Sequence, residues 1–102
     1  MINYERIIKD CFWDTNITEN DICKILKGND QREKNYLFEK ILLNSTKLFN
    51  DLSLFSKSEL KYFIENYKIP KFNYQFIFRR KNLAEVFFLD KPLLIDELKW
   101  IV

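Results

Sequence analysis

Histidine is absent from this 102-residue chain, and glycine occurs once, as Gly28. Without an imidazole there can be no Ser-His-Asp or Cys-His pair and no histidine metal ligand. The two cysteines cannot supply a four-thiolate zinc site. Catalysis would have to rest on carboxylates, lysine or tyrosine. The scarcity of glycine acts on architecture instead. Tight hairpins and phosphate-cradling loops use positive φ, for which glycine is the usual supplier. One glycine and two prolines argue against a many-stranded sandwich or barrel and exclude a glycine-rich nucleotide loop. Asparagine can replace glycine in some turns, so short hairpins remain open.

Long apolar runs are also missing. The longest, residues 86–89, has four members, against about 20 for a membrane-spanning helix. The opening MINYERIIKD mixes both charge signs and lacks the apolar core of a secretory signal. Cys11 and Cys23 form no CxxC pair and fall in separate predicted helices, so they are expected to be reduced thiols of a cytoplasmic protein. Apolar residues make up 47% and charged residues 31%, a globular composition whose length suits a single domain.

What is present reads as an all-α bundle of about six or seven short helices. Ile7, Ile8, Cys11 and Phe12 recur at helical spacing within 2–13. Thr18 with Asp21 forms a capping pattern that opens a helix over 19–27, stopped at Gly28-Asn29. Asp30 with Glu33 starts the next, in which Leu37, Phe38, Ile41 and Leu42 form the inner stripe and Arg32, Glu33, Lys34, Glu39 and Lys40 face water. A short helix over 47–54 follows. Ser56 and Glu59 then make a capping box ahead of a helix with Leu60, Phe63, Ile64 and Tyr67 inward, ended by Pro70. Asn82 with Glu85 predicts a helix start near Leu83, and Pro92 suits the first position of a last helix carrying Leu98 and Trp100.

Between these lies the distinctive stretch, residues 66–84, with five cations (Lys68, Lys71, Arg79, Arg80, Lys81), no acid and five aromatics. The chain's net charge of +2 is thus a +5 segment joined to a remainder of −3. Phe72, Tyr74, Phe76 and Phe78 alternate as in a strand, and a strand or short hairpin near 71–79 is one reading. Ile77 breaks the alternation and no second strand offers pairing, so a helix is preferred. That helix would place Phe76, Leu83 and Phe87 on one face. The phenylalanines are expected to enter the core, leaving a positive edge centred on Arg79 and Arg80.

Three further features bear on function. A helix-turn-helix can be drawn with 47–55 as its first helix and 58–67 as the recognition helix, exposing Lys57, Ser58 and Lys61, although Glu59 and Glu65 would approach phosphates. Asp10 with Asp14 reads as an i,i+4 surface pair, and the adjacent Asp96 and Glu97 point to different faces. No carboxylate cluster therefore suggests a metal, cofactor or acid–base role. Seventeen aromatics, including Trp13 and Trp100, exceed what one small core holds. An exposed aromatic patch implies a protein partner.

The residues Phe12-Trp13-Asp14, the segment LFEKILLNS at 37–45 and LFSKSELKYFI at 54–64 resemble small uncharacterised bacterial helical proteins that open on a Phe-Trp-Asp turn. Some of those proteins are encoded beside nucleotidyltransferase-type toxins of abortive-infection systems. The resemblance covers residues 12–67 and implies an antitoxin-like role, with no site residue carried over. Asn44-Ser45 stands where those proteins have a glycine-bearing turn. The expected function is non-enzymatic binding of an acidic protein partner, or self-association, through Lys68, Lys71, Arg79, Arg80, Lys81 and Trp100. The alternative is a nucleic-acid-binding module built on the same cations.

Overall fold

Capping side chains decide where the first three helices begin. In the computed structural model, which describes residues 3–94, Asn3 accepts a hydrogen bond from the Arg6 amide at 3.0 Å and opens α1 (Tyr4–Cys11). Thr18 and Asp21 form a reciprocal capping box at the head of α2 (Glu19–Lys27). Asp30 accepts from the amides of Arg32 and Glu33 to start α3 (Gln31–Asn44). Each such cap satisfies N–H groups that the helix itself leaves without partners. The chain continues through α4 (Leu48–Leu52), α5 (Lys57–Asn66) and α6 (Tyr74–Leu89). It is all-α, with six helices and no strand among the described residues. None of these helices is long and apolar enough to cross a membrane.

Contacts group the chain into two units, the first ending at Ser56 and the second starting at Lys57. In the first, α3 packs against α1, α2 and α4 and so forms its centre. Its stripe of Leu37, Phe38, Ile41 and Leu42 is buried, as the helical spacing requires, together with Ile7, Cys11, Phe12 and Ile22. Phe38 meets Phe55 edge-on, with ring centroids 6.3 Å apart. Lys34, expected in water on the outer face of α3, is buried instead. In an amphipathic side chain the aliphatic stem can cover apolar surface while the ammonium stays at its edge. Cys11 is buried, Cys23 half-buried, and both are free thiols.

Gly28 ends α2 with extended backbone at φ −79°, outside the left-handed region that the Gly-Asn pair suggested. Its requirement is one of space: a Cβ there would stand 3.1 Å from the Lys24 carbonyl oxygen. The left-handed positions belong to Asn73 (φ 50°) and Asp90 (φ 54°), which flank α6. Both are residue types that tolerate this conformation.

In the second unit α5 packs against α6. Leu60, Phe63 and Ile64 are buried on α5 and Ile77, Asn82 and Ala84 on α6, while Tyr67 is half-buried. The helix expected to start near Leu83 does not exist as a separate element. Residues 74–79 of the ambiguous segment and the hydrophobic block 86–89 share one uninterrupted α6, residues 71–73 form a turn ahead of it, and residues 91–94 are not helical. Asn82 caps nothing. It is 1% exposed and lies within α6, where its Nδ2 donates to Glu85 Oε1 (3.1 Å) and to the Pro92 carbonyl (3.2 Å). Its Oδ1 accepts from the Leu94 amide at 2.6 Å. The Asn82/Glu85 spacing that reads as a cap is here a buried amide pinning the chain after α6. The last predicted helix lies outside the described residues apart from Pro92, Leu93 and Leu94.

Candidate interaction surface

At about 100° per residue, α6 sorts its side chains into an inner and an outer half. Ile77 and Ala84 define the inner side. About a quarter-turn round the helix from them lie Phe76, Leu83 and Phe87, which share one stripe because they are spaced by seven and then four residues. Phe76 is 54% exposed and Phe87 59% exposed, with Leu83 half-buried. In the connector before the helix Phe72 is 65% exposed, and Tyr74 at the first turn is also exposed. The expectation that these phenylalanines enter the core therefore fails for Phe72 and Phe76. The residue that broke the alternation, Ile77, is the one that is buried. Phe78 is half-buried and stacks on Tyr74 at 6.1 Å.

The cations divide in a similar way. Arg79 and Arg80 fall on opposite flanks of the Phe76–Leu83–Phe87 stripe, each roughly 40–60° from its middle. Arg79 is exposed, and the Arg80 guanidinium lies 5.6 Å from the Phe76 ring centroid, a cation–π contact. Lys81 turns inward and is half-buried, with its ammonium 3.3 Å from Glu85. It does not belong to the outer face. Lys68 and Lys71 are exposed in the connector between α5 and α6. Trp100 lies outside the described residues.

The first unit presents a smaller aromatic feature at the Phe-Trp-Asp turn. Phe12 is buried, whereas Trp13 is 65% exposed. The Lys40 ammonium sits 5.8 Å from the Trp13 ring and 5.7 Å from that of Tyr36, and pairs with Asp14 at 3.5 Å. The turn thus splits its two rings between core and surface.

The helix-turn-helix drawn from the sequence meets a short first member, since α4 covers five residues and α5 belongs to the other unit. Lys57 and Lys61 instead line an open hollow of about 260 Å³ with Glu65, Phe88 and Lys91, in which Lys91 pairs with Glu65 at 3.4 Å.

Sequence reasoning missed one polar cluster altogether. Asp10 is no surface partner of Asp14. Its carboxylate accepts from Arg6 Nη1 at 3.0 Å, from Thr46 Oγ1 at 2.6 Å and from the Thr46 amide at 3.1 Å. Arg6 Nη2 also donates to Asp51, which is wholly buried and accepts in addition from Ser45 Oγ. Burial disfavours the charged form of Asp10, but the Thr46 hydrogen bonds and Arg6 outweigh it and hold the carboxyl below its usual range. The Arg6 guanidinium is pushed up, chiefly by its hydrogen bond to Asp51. The partners lie up to 45 residues apart, so no local pattern announces them. The cluster ties α1 to α4 and the turn before it, and every group in it is engaged. Among the described residues no set of three or more acidic or cysteine side chains is placed to hold a metal ion. No protein-family model, curated protein or solved structure matches this chain.

Proposed function

We propose that this chain is a non-enzymatic regulatory protein that binds another protein through the outer face of α6, in the manner of an antitoxin. One observation carries the reading: Phe76 and Phe87, more than half exposed, share a stripe with Leu83 and are bracketed by Arg79 and Arg80. Large apolar side chains left outside at helical spacing mark a surface that another molecule covers. Aromatic rings and arginine are the residue types that dominate binding energy in protein interfaces. The resemblance carried by Phe12-Trp13-Asp14 adds the antitoxin character, and the free thiols Cys11 and Cys23 suit a cytoplasmic setting.

The test is co-expression with the neighbouring gene product, followed by capture on a tag carried by this chain. Co-purification should be lost in Phe76→Ala/Phe87→Ala, while Trp13→Ala retains it. Retention by the double variant and loss with Trp13→Ala would move the contact to the Phe-Trp-Asp turn. A second reading, single-stranded nucleic acid, draws on exposed Phe72 and Tyr74 and on Arg80 over Phe76. Salt-sensitive binding of labelled DNA or RNA at low ionic strength is its signature.

A further inference from the structure

We infer that the occupant of the outer α6 face is an acidic amphipathic helix, its apolar stripe laid along Phe76, Leu83 and Phe87 and its carboxylates meeting Arg79 and Arg80. The inference rests on the α6 reading above and gives that surface a partner chemistry. Shape comes first. From Phe76 to Phe87 the stripe runs about 16 Å along the helix axis, three turns, which is the length over which one helix lays i, i+4, i+7 and i+11 side chains on another. An extended strand would also need backbone partners, and a regular helix has none to offer along its side.

Charge then selects among occupants. Residues 66–84 hold five cations and no acid. A second copy docking the same face on itself would bring Arg79 and Arg80 against their own counterparts, a juxtaposition of like charges that costs affinity. A nucleic-acid strand needs cations that follow its backbone along the site. On α6 they stop: Lys81 is turned to Glu85, and beyond it the outer side carries Leu83, Val86 and Phe87 before Asp90. Of these only Phe87 offers a face on which a base could stack. An apolar stripe three turns long with two guanidiniums flanking one end fits a helix whose acids are gathered at one end.

The probe is a pair of fluorescein-labelled helical peptides of about 18 residues, five turns, each with leucines at i, i+4, i+7 and i+11. Glutamates flank the stripe in one and lysines in the other, and labelled oligothymidylate is the third probe. Each is titrated with the full chain by fluorescence anisotropy at low and high salt. The glutamate peptide should bind at least about tenfold more tightly than the lysine peptide. Phe76→Ala/Phe87→Ala should weaken it by about tenfold or more, and Arg79→Glu/Arg80→Glu should reverse the preference. Equal binding of both peptides, abolished in the phenylalanine variant, overturns the acid preference and leaves the α6 surface standing. Peptide binding that ignores the phenylalanine variant overturns both the surface and the inference. Salt-sensitive binding of oligothymidylate alone overturns the inference in favour of nucleic acid. A dimer in sedimentation equilibrium that Phe76→Ala/Phe87→Ala disperses overturns it in favour of a second copy.

Discussion

Asp51→Ala should destabilise the first unit more than any surface change. The Asp51 side chain has no exposure and accepts from both Arg6 Nη2 and Ser45 Oγ, so the substitution strands two donors at once. Breaking a buried ion pair by removing one partner costs about 3–5 kcal/mol. Arg6 keeps Asp10 at 3.0 Å and retains 18% side-chain exposure, which places the loss near the lower end, ~3 kcal/mol. Ser45 also receives the Lys47 amide at 3.0 Å, so loosening it frees the start of α4, which has no side-chain cap of its own. On the usual per-residue scale a unit of this length is worth about 3–8 kcal/mol. The variant should therefore lose about 40% or more of its margin.

The assay is urea unfolding followed by far-UV circular dichroism, with amide hydrogen exchange to separate α1, α3 and α4 from α5 and α6. Arg6→Met/Asp51→Leu, which replaces the pair by apolar groups of similar size, should recover about 1–2 kcal/mol relative to Asp51→Ala. A loss below about 1 kcal/mol for Asp51→Ala, or a double variant worse than the single one, would refute the assignment of Asp51 as the paired, buried centre of the cluster.

Other expectations concern the rest of the molecule. Asn82→Leu removes the acceptor of the Leu94 amide and the donor to the Pro92 carbonyl, so the Leu94 amide should lose its exchange protection and the second unit about 1–3 kcal/mol. The depressed carboxyl of Asp10 makes a stabilising contribution that is present above the unfolded-state pKa and lost as pH falls through the lower folded-state value. An acid unfolding series should thus show α1 detaching from Thr46 only below pH ~4, and Asp10→Asn should flatten that arm. Phe76→Ala and Phe87→Ala, on the exposed face, should each change stability by no more than about 0.5 kcal/mol, whereas Phe38→Ala in the core should cost about 3–5 kcal/mol.

The boundaries of α2 and α3 were legible because their signals are local. A Thr18 hydroxyl or an Asp30 carboxylate reaches an amide two or three residues away, and that reach is written in the spacing. The α3 stripe was legible for the same reason. The second unit was harder to read because α6 is apolar almost all round. Phe76, Phe78, Leu83, Val86, Phe87, Phe88 and Leu89 satisfy several periodicities, and hydrophobicity alone does not say which side faces in. The small Ala84 and the apparent misfit Ile77 mark the inner side, whereas Phe76 and Phe87 stay out. The basic half of the candidate surface, Arg79 and Arg80, was visible as charge. Its aromatic half was visible as composition and assigned to the wrong side. Asp51 and Asn82 were illegible because their partners lie at sequence separations of 45 and 12 residues, respectively.

Asn73, at the head of α6, has a left-handed backbone and makes no capping hydrogen bond with its side chain, and the first turn that follows contains no acidic residue. The peptide dipoles of a helix add up to about half a positive charge at its N-terminus, and here no carboxylate of that turn offsets it. The end of α6 that carries Tyr74 and Phe76 therefore sits in a more positive potential than its arginines and lysines supply by themselves, while the end that carries Phe87 does not. A partner approaching through water would meet this gradient before any ring contact forms. Its acidic end would be drawn to the Tyr74 end, fixing the direction in which it lies along the helix and making the rate of encounter fall with added salt.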